Sequence, residues 1–311
     1  MLDKVLETCK RLSNSSLYVT INEDRIKEVA KKLEGLEFKH WIVKTENRLL
    51  KLPIEDQVNF LLIFDSIDFS FWGNPKWTVE LKSGKKEDGA YALMEVLLEY
   101  FEDTKNLDFT KVSFEEFKKI LKGNVEIPLL EERYNIVRNV SKVVNEKMKS
   151  SFYDYIKDVH DDKTLFNVIV NNFKSFEDKR MVECQEVYFY KLAQLLTSDI
   201  LNLRKEAENI DVDLSNLKGC SDYKIPQILR GLGVINYSEK LSNMVDNKKI
   251  LGENSRFEVE IRASVIVSID KIKEELNGKL LSIEINDLLW ELSHDKVVEL
   301  KPYHLTRTTS Y

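Results

Sequence analysis

Residues 60–73, Phe-Leu-Leu-Ile-Phe-Asp-Ser-Ile-Asp-Phe-Ser-Phe-Trp-Gly, set two acids, Asp65 and Asp68, among the rings of Phe64, Phe69, Phe71 and Trp72. An unpaired buried carboxylate is costly, so these acids either find partners or border a cleft. A second constellation is Ser221-Asp222-Tyr223-Lys224-Ile225-Pro226-Gln227. Pro226 marks a first helical turn, which places Asp222 at or just before that helix's N-terminus. There the backbone N–H groups favour an ionised carboxylate, and an ordinary N-cap describes the same placement. A third, Leu289-Trp290-Glu291-Leu292-Ser293-His294-Asp295, closes a helix with Trp290 off the apolar stripe of Ile285, Leu288, Leu289 and Leu292. A plain surface helix end fits that stretch equally well. Lys191 lies one step off the apolar face of Phe189, Leu192, Ala193, Leu196, Ile200 and Leu203, so it can point into a cleft rim.

Several chemistries are missing their signatures. There is no GxGxxG, P-loop, HExxH, CxxC pair or GxSxG. Four His without ligand spacing argue against a metal centre, and no cofactor is expected. Carboxylates, a Lys and aromatic walls remain. That set suits cleavage at an anomeric carbon, where a carboxylate stabilises an oxocarbenium-like transition state.

The elements that must position these groups are mostly helices. With 10 Gly and 5 Pro in 311 residues and 32% charged residues, long helices are favoured over a turn-rich β-fold. The length allows one large domain or two closely packed lobes. Apolar stripes predict helices over residues 1–17, 23–34, 53–65, 88–102, 113–122, 128–148, 151–176, 187–204, 224–232, 237–246, 256–276 and 284–293. Asn22 caps the second, and Ser113-Phe114-Glu115-Glu116 forms a capping box. Alternation over 66–71 and 77–81 predicts one small antiparallel β-hairpin across Gly73-Asn74-Pro75. Glu258 and Glu260 with Arg256 and Arg262 read as surface or intra-helix pairs of little energetic weight. A net charge of −6 provides no basic field for nucleic acid, so no stable nucleic-acid binding is expected. Three cysteines without metal spacing, no leader and no apolar run of about 18–20 residues predict a cytoplasmic protein away from membranes. Without a heptad repeat the chain is expected to be a monomer.

Six blocks resemble the queuosine salvage protein family, the queuosine 5′-phosphate N-glycosylase/hydrolases. They are Phe64 to Gly73; Ile127-Pro128-Leu129-Leu130-Glu131-Glu132-Arg133; Phe189-Tyr190-Lys191-Leu192-Ala193-Gln194; Asp222-Tyr223-Lys224-Ile225-Pro226-Gln227-Ile228-Leu229; Glu258-Val259-Glu260-Ile261-Arg262; and Leu289 to Asp295. They occur in the family's order across roughly residues 20–311. The resemblance implies a single catalytic domain over 1–311, mainly α, similar in fold to helix-hairpin-helix DNA glycosylases. It implies hydrolysis of the N-glycosidic bond of queuosine 5′-monophosphate, giving the 7-deazaguanine base queuine and ribose 5-phosphate for tRNA queuosine salvage. The substrate would be that small nucleotide or free queuosine.

The resemblance also implies roles. Asp222 and Lys191 match the catalytic Asp and Lys: Asp222 would stabilise the ribosyl cation or activate water, and Lys191 would hold the sugar or its phosphate. Tyr223, Phe71 and Trp290 would sandwich the base, with Trp72 and His294 in the same matching blocks. Asp65, Asp68 and Asp295 would take the base's N–H donors and the amine or diol arm. Arg262, His304 and Arg307 are weaker candidates for the 5′-phosphate. Asp68 stands where the family has Asn, Glu291 where it has Asp, and Leu52-Pro53 near the place of a family His. A carboxylate only accepts, whereas an amide also donates, so Asp68 alters that hydrogen bond. Two other readings stay open: a different nucleoside or nucleotide N-glycosidase, and a catalytically inactive RNA- or nucleotide-binding helical module.

Overall fold

Apolar stripes at spacings of three and four fold as helices throughout. The computed structural model describes residues 1–44, 48–294 and 298–311. In chain order the elements are α1 (Leu2–Asn14), β1 (Val19–Ile21), α2 (Glu23–Leu33), α3 (Trp41–Lys44), α4 (Ile54–Ser66), β2 (Thr78–Glu80), β3 (Lys86–Asp88), α5 (Gly89–Thr104), α6 (Phe114–Ile120), α7 (Leu130–Lys147), α8 (Phe152–Ile156) and α9 (Asp162–Asn172). They continue with β4 (Lys179–Val182), β5 (Gln185–Tyr188), α10 (Lys191–Glu208), α11 (Lys224–Gly231), β6 (Ile235–Tyr237), α12 (Glu239–Asp246), α13 (Arg256–Glu275) and α14 (Ser282–Leu292). The protein is mainly helical, and no helix among the described residues is long and apolar enough to cross a membrane. Asn22 accepts from the Asp24 and Arg25 N–H groups, and Ser113 and Glu116 make both halves of the expected capping box.

Helix α13 is buried without a break over residues 258–269 and serves two cores. Its Ile261, Val265, Ile269 and Ile272 join α2, α11, α14, β1 and β6. Its Val259, Ala263, Ile266 and Val267 face α1, α4 and α10. Each fully buried aliphatic side chain contributes roughly 1.5–3 kcal/mol, so a helix buried on every side anchors everything packed on it. This corrects the surface alternative for its charged residues, since Glu258, Glu260 and Arg262 are at most 1% exposed, and keeps the intra-helix one, with Arg256–Glu260 and Arg262–Glu258 paired one turn apart. Glu260 receives the Ser16 hydroxyl and the Leu17 and Tyr18 N–H groups, besides the Arg256 guanidinium. Small residues (Ala263, Ser264, Ser268) give the second face no strong apolar signal, which hides it from periodicity.

The strands also differ from expectation. Instead of one hairpin the described residues form three antiparallel pairs, β1 with β6, β2 with β3, and β4 with β5. Residues 67–71 form no strand; Thr78–Glu80 pairs with Lys86–Asp88. The alternation of 66–71 is real, yet Ser66, Asp68 and Ser70 are as buried as their apolar neighbours. Buried Arg133 of α7 grips this loop through the carbonyls of Ile67, Phe69 and Ser70. Its guanidinium lies over the rings of Phe69 and Phe71, at 4.3 and 4.9 Å. The helix expected from residue 187 begins at Lys191, because Gln185–Tyr188 is taken by the β4–β5 hairpin.

Candidate active site

Three segments converge on one cleft: the loop after α4, the N-terminus of α10 and the N-terminus of α11. Two adjoining cavities share the walls Asp68, Lys191, Asp222, Tyr91 and Trp290.

Lys191 opens α10 and is 5% exposed. Its ammonium donates to Asp68 Oδ2 at 2.9 Å and to the Asp68 carbonyl at 3.1 Å. Burial alone would lower its pKa, but the Asp68 and Asp222 carboxylates outweigh burial and raise it, so Lys191 is charged. The carboxylate of Asp68 therefore has a use an amide would not: it neutralises a buried ammonium. Its other oxygen, Oδ1, has no protein partner.

Asp222 meets both sequence alternatives at once. Its Oδ1 accepts from the Lys224 and Ile225 N–H groups at 2.8 and 2.9 Å, as a helix cap does, while the carboxylate borders both cavities. Burial raises its pKa, opposed by Lys191 and the two N–H groups. The preceding loop is pinned from two sides. Gln194 of α10 donates to the Gly219 carbonyl and accepts from Lys218 N–H, and Asn286 of α14 accepts from Cys220 N–H. Gly219 has φ +105°, and a Cβ there would stand 2.8 Å from Ile269 Cδ1, so only glycine fits. Burial pushes the Cys220 thiol well up, which leaves it protonated and a poor nucleophile.

Flat walls line both cavities. The first has Trp41, Phe64, Tyr91 and Trp290; the second has Phe71, Tyr223, Trp290 and His294. Trp290 lies 6.0 Å from Tyr91 and 4.2 Å from His294 between ring centroids. Phe71 is already covered by Trp77 and Arg133, so its rim rather than a free face meets the cavity.

Not every expected site residue arrives. Asp65 is fully buried behind the cavity; burial and the charges of Asp199 and Asp68 raise its pKa well above normal, so it is a neutral acid. Arg262 is fully buried in a pair with Asp178 and borders neither cavity. His304 is buried against Tyr311, and burial beside Arg262 pushes it down to about 3, so it carries no charge for a phosphate. Arg307 lies 5.4 Å over Trp72, and neither lines a cavity. Asp295 lies outside the described residues.

Other residues enter that the sequence reading passed over. Lys191, Leu195 and Asp199 recur every four residues along α10 and all border the first cavity, a stripe visible in the spacing. No histidine stands at Leu52-Pro53, but His40 reaches the acids from upstream. Its Nε2 lies 3.2 Å from Asp199 Oδ1 and 3.7 Å from Asp287 Oδ2. Burial would lower the His40 pKa, but Asp199 and Asp287 overcome it and raise it above 6.5. Its stabilising effect is therefore complete below about pH 6.5 and is lost as pH rises through the folded value. We expect His40→Asn to lower the urea midpoint more at pH 6 than at pH 9; an equal loss at both would mean that His40 is neutral when folded.

Comparison with known proteins identifies the family. The family model described as "Queuosine salvage protein" matches residues 50–311. A Sphaerobacter thermophilus protein is 30% identical over 99% of this chain and 97% of its own. A Bos taurus protein is 27% identical over 98% of each chain, and a Mus musculus protein 29% identical over 83% of this chain and 82% of its own. All three carry the name queuosine 5′-phosphate N-glycosylase/hydrolase. With a match over most of its length, the chain belongs to the queuosine salvage protein family.

Proposed function

We propose that this protein is an N-glycosyl hydrolase that cleaves queuosine 5′-monophosphate to queuine and ribose 5-phosphate. The observation that carries this reading is the Asp222–Lys191–Asp68 group, half-buried at Asp222 and buried at the other two, at the seam of two unlike cavities. The first is aromatic and acidic, fitted to a flat base. The second is bordered by Lys76, Lys191 and Lys224, fitted to a phosphorylated sugar. The anomeric carbon then lies at the seam, beside Asp222. The C1′–N9 bond breaks, its electron pair leaves with the base, water oxygen adds to C1′, and the water proton ends on the base. A 7-deazapurine has no N7 to protonate, so assistance must come mainly from the sugar side, where the Asp222 carboxylate faces the developing cation. Lys191, charged and held by Asp68, positions the sugar hydroxyls. A cytosolic setting is supported by three unpaired thiols, two of them buried.

The test is release of queuine, followed by chromatography and mass spectrometry, from the monophosphate, the nucleoside and guanosine 5′-monophosphate. Clean binding without release would favour a non-catalytic module, and equal release from all three a general nucleotide N-glycosidase. For the phosphate we put Lys224 and Lys76 in place of Arg262, His304 and Arg307. Lys224→Ala is expected to narrow the preference for monophosphate over nucleoside by about tenfold, the scale of one charge-assisted hydrogen bond. An unchanged ratio of kcat/KM values would remove Lys224 from that role.

A further inference from the structure

We propose that Asp199 and Asp287, held by His40, form a subsite for a protonated amine on the ligand's base, and that this subsite sets substrate choice. The inference rests on the hydrolase reading above and adds to it a pair of acids that select for charge. Asp199 is fully buried and borders the first cavity. Its Oδ1 is taken by Trp41 Nε1 at 3.1 Å and by His40, while its Oδ2 has no partner in the protein. Asp287, from α14, borders the same cavity and faces the same imidazole, and its Oδ2 also lacks a hydrogen bond. Two carboxylates share one imidazolium, and the other cation on the wall, Lys191, is paired with Asp68. The pair therefore has room for a second cation. Burial pushes Asp287 up to about 7, and an ammonium bound beside it would favour its ionised form. Among the other walls are Glu291 and the rings of Phe64, Trp41, Tyr91 and Trp290, and such rings favour a cation held near their faces. A flat base carrying an ammonium completes this arrangement; a neutral base leaves a buried carboxylate unpaired.

The subsite is distinct from the bond-breaking group. Asp199 lies two turns beyond Lys191 on α10, about 12 Å along the helix. The amine and the anomeric carbon are thus served by different stretches of one groove.

The experiment compares kcat/KM for queuosine 5′-monophosphate and for 7-deazaguanosine 5′-monophosphate, which has the same bond and phosphate without the amine arm. Wild type, Asp199→Asn and Asp287→Asn are measured together. Wild type is expected to favour the amine-bearing substrate by about a hundredfold, and either carboxamide to cut that preference about tenfold. The armless substrate should lose less than the amine-bearing one, so the ratio of the two kcat/KM values is the readout. Equal losses on both substrates would assign these acids a merely structural role and overturn the proposal. Calorimetry with queuine and its N-acetyl derivative keeps the two readings separable. If wild type hydrolyses neither nucleotide, the hydrolase reading fails, while tighter binding of queuine than of the acetylated base, lost in both variants, still supports the subsite. Equal binding of the two bases overturns it.

Discussion

Asp222→Asn is expected to lower the rate of queuine release by about 10²–10⁴-fold while leaving the protein folded. The amide keeps an oxygen where Oδ1 accepts from the Lys224 and Ile225 N–H groups, so the start of α11 survives. What disappears is the negative charge facing the anomeric carbon. Burial raises the Asp222 pKa, so wild-type activity should fall on acidification at a higher pH than an ordinary carboxylate would set. The measurement is kcat across pH 4–9 for both proteins, with urea unfolding as the control for folding. A variant retaining near wild-type release would keep the proposed reaction and move its electrostatic centre elsewhere, Asp68 being the next acid in reach.

Arg262→Met is expected to destabilise the protein by about 3–5 kcal/mol, the cost of stranding a buried charge. The guanidinium is wholly enclosed and donates to both oxygens of Asp178 at 3.0 and 2.6 Å and to the Ser221 carbonyl at 3.1 Å. Phe189 and Tyr311 cover its two faces at 4.0 and 4.3 Å. Asp178 in turn accepts from Lys191 N–H, and Ser221 adjoins Asp222, so one side chain braces both halves of the proposed catalytic pair. Methionine leaves the buried Asp178 and Glu258 to share Arg180 alone, at 3.4 and 3.8 Å. Lysine restores charge but not the two-pronged geometry, so Arg262→Lys should recover only part of the loss. Denaturant midpoints measure this directly. An unchanged midpoint, with KM raised only for the phosphorylated substrate, would return Arg262 to a phosphate-contacting role.

Much of the fold was legible because helix signals are local. Stripes at three and four residues, the Asn22 cap and the Ser113–Glu116 capping box each lie within one turn or one helix, and the structure keeps them. The place of Asp222 at a helix start was legible for the same reason, through Pro226. Chemical type was legible as well: carboxylates, a lysine and rings, with no phosphate loop or metal motif. Pairing was not. The Lys191–Asp68 ion pair joins residues 123 positions apart, and His40, just before α3, meets Asp199 of α10 and Asp287 of α14. Nothing local sets those distances; they follow from how the helices pack, α10 against α4 among them. Burial of charge was equally hidden, since Glu258, Glu260 and Arg262 have the spacing of any exposed helix pair. The loop at 66–71 alternates as a strand would, but its polar side faces a cavity and the chain's last residues instead of water. Periodicity reports which side chains share a face, and long-range packing decides what that face meets.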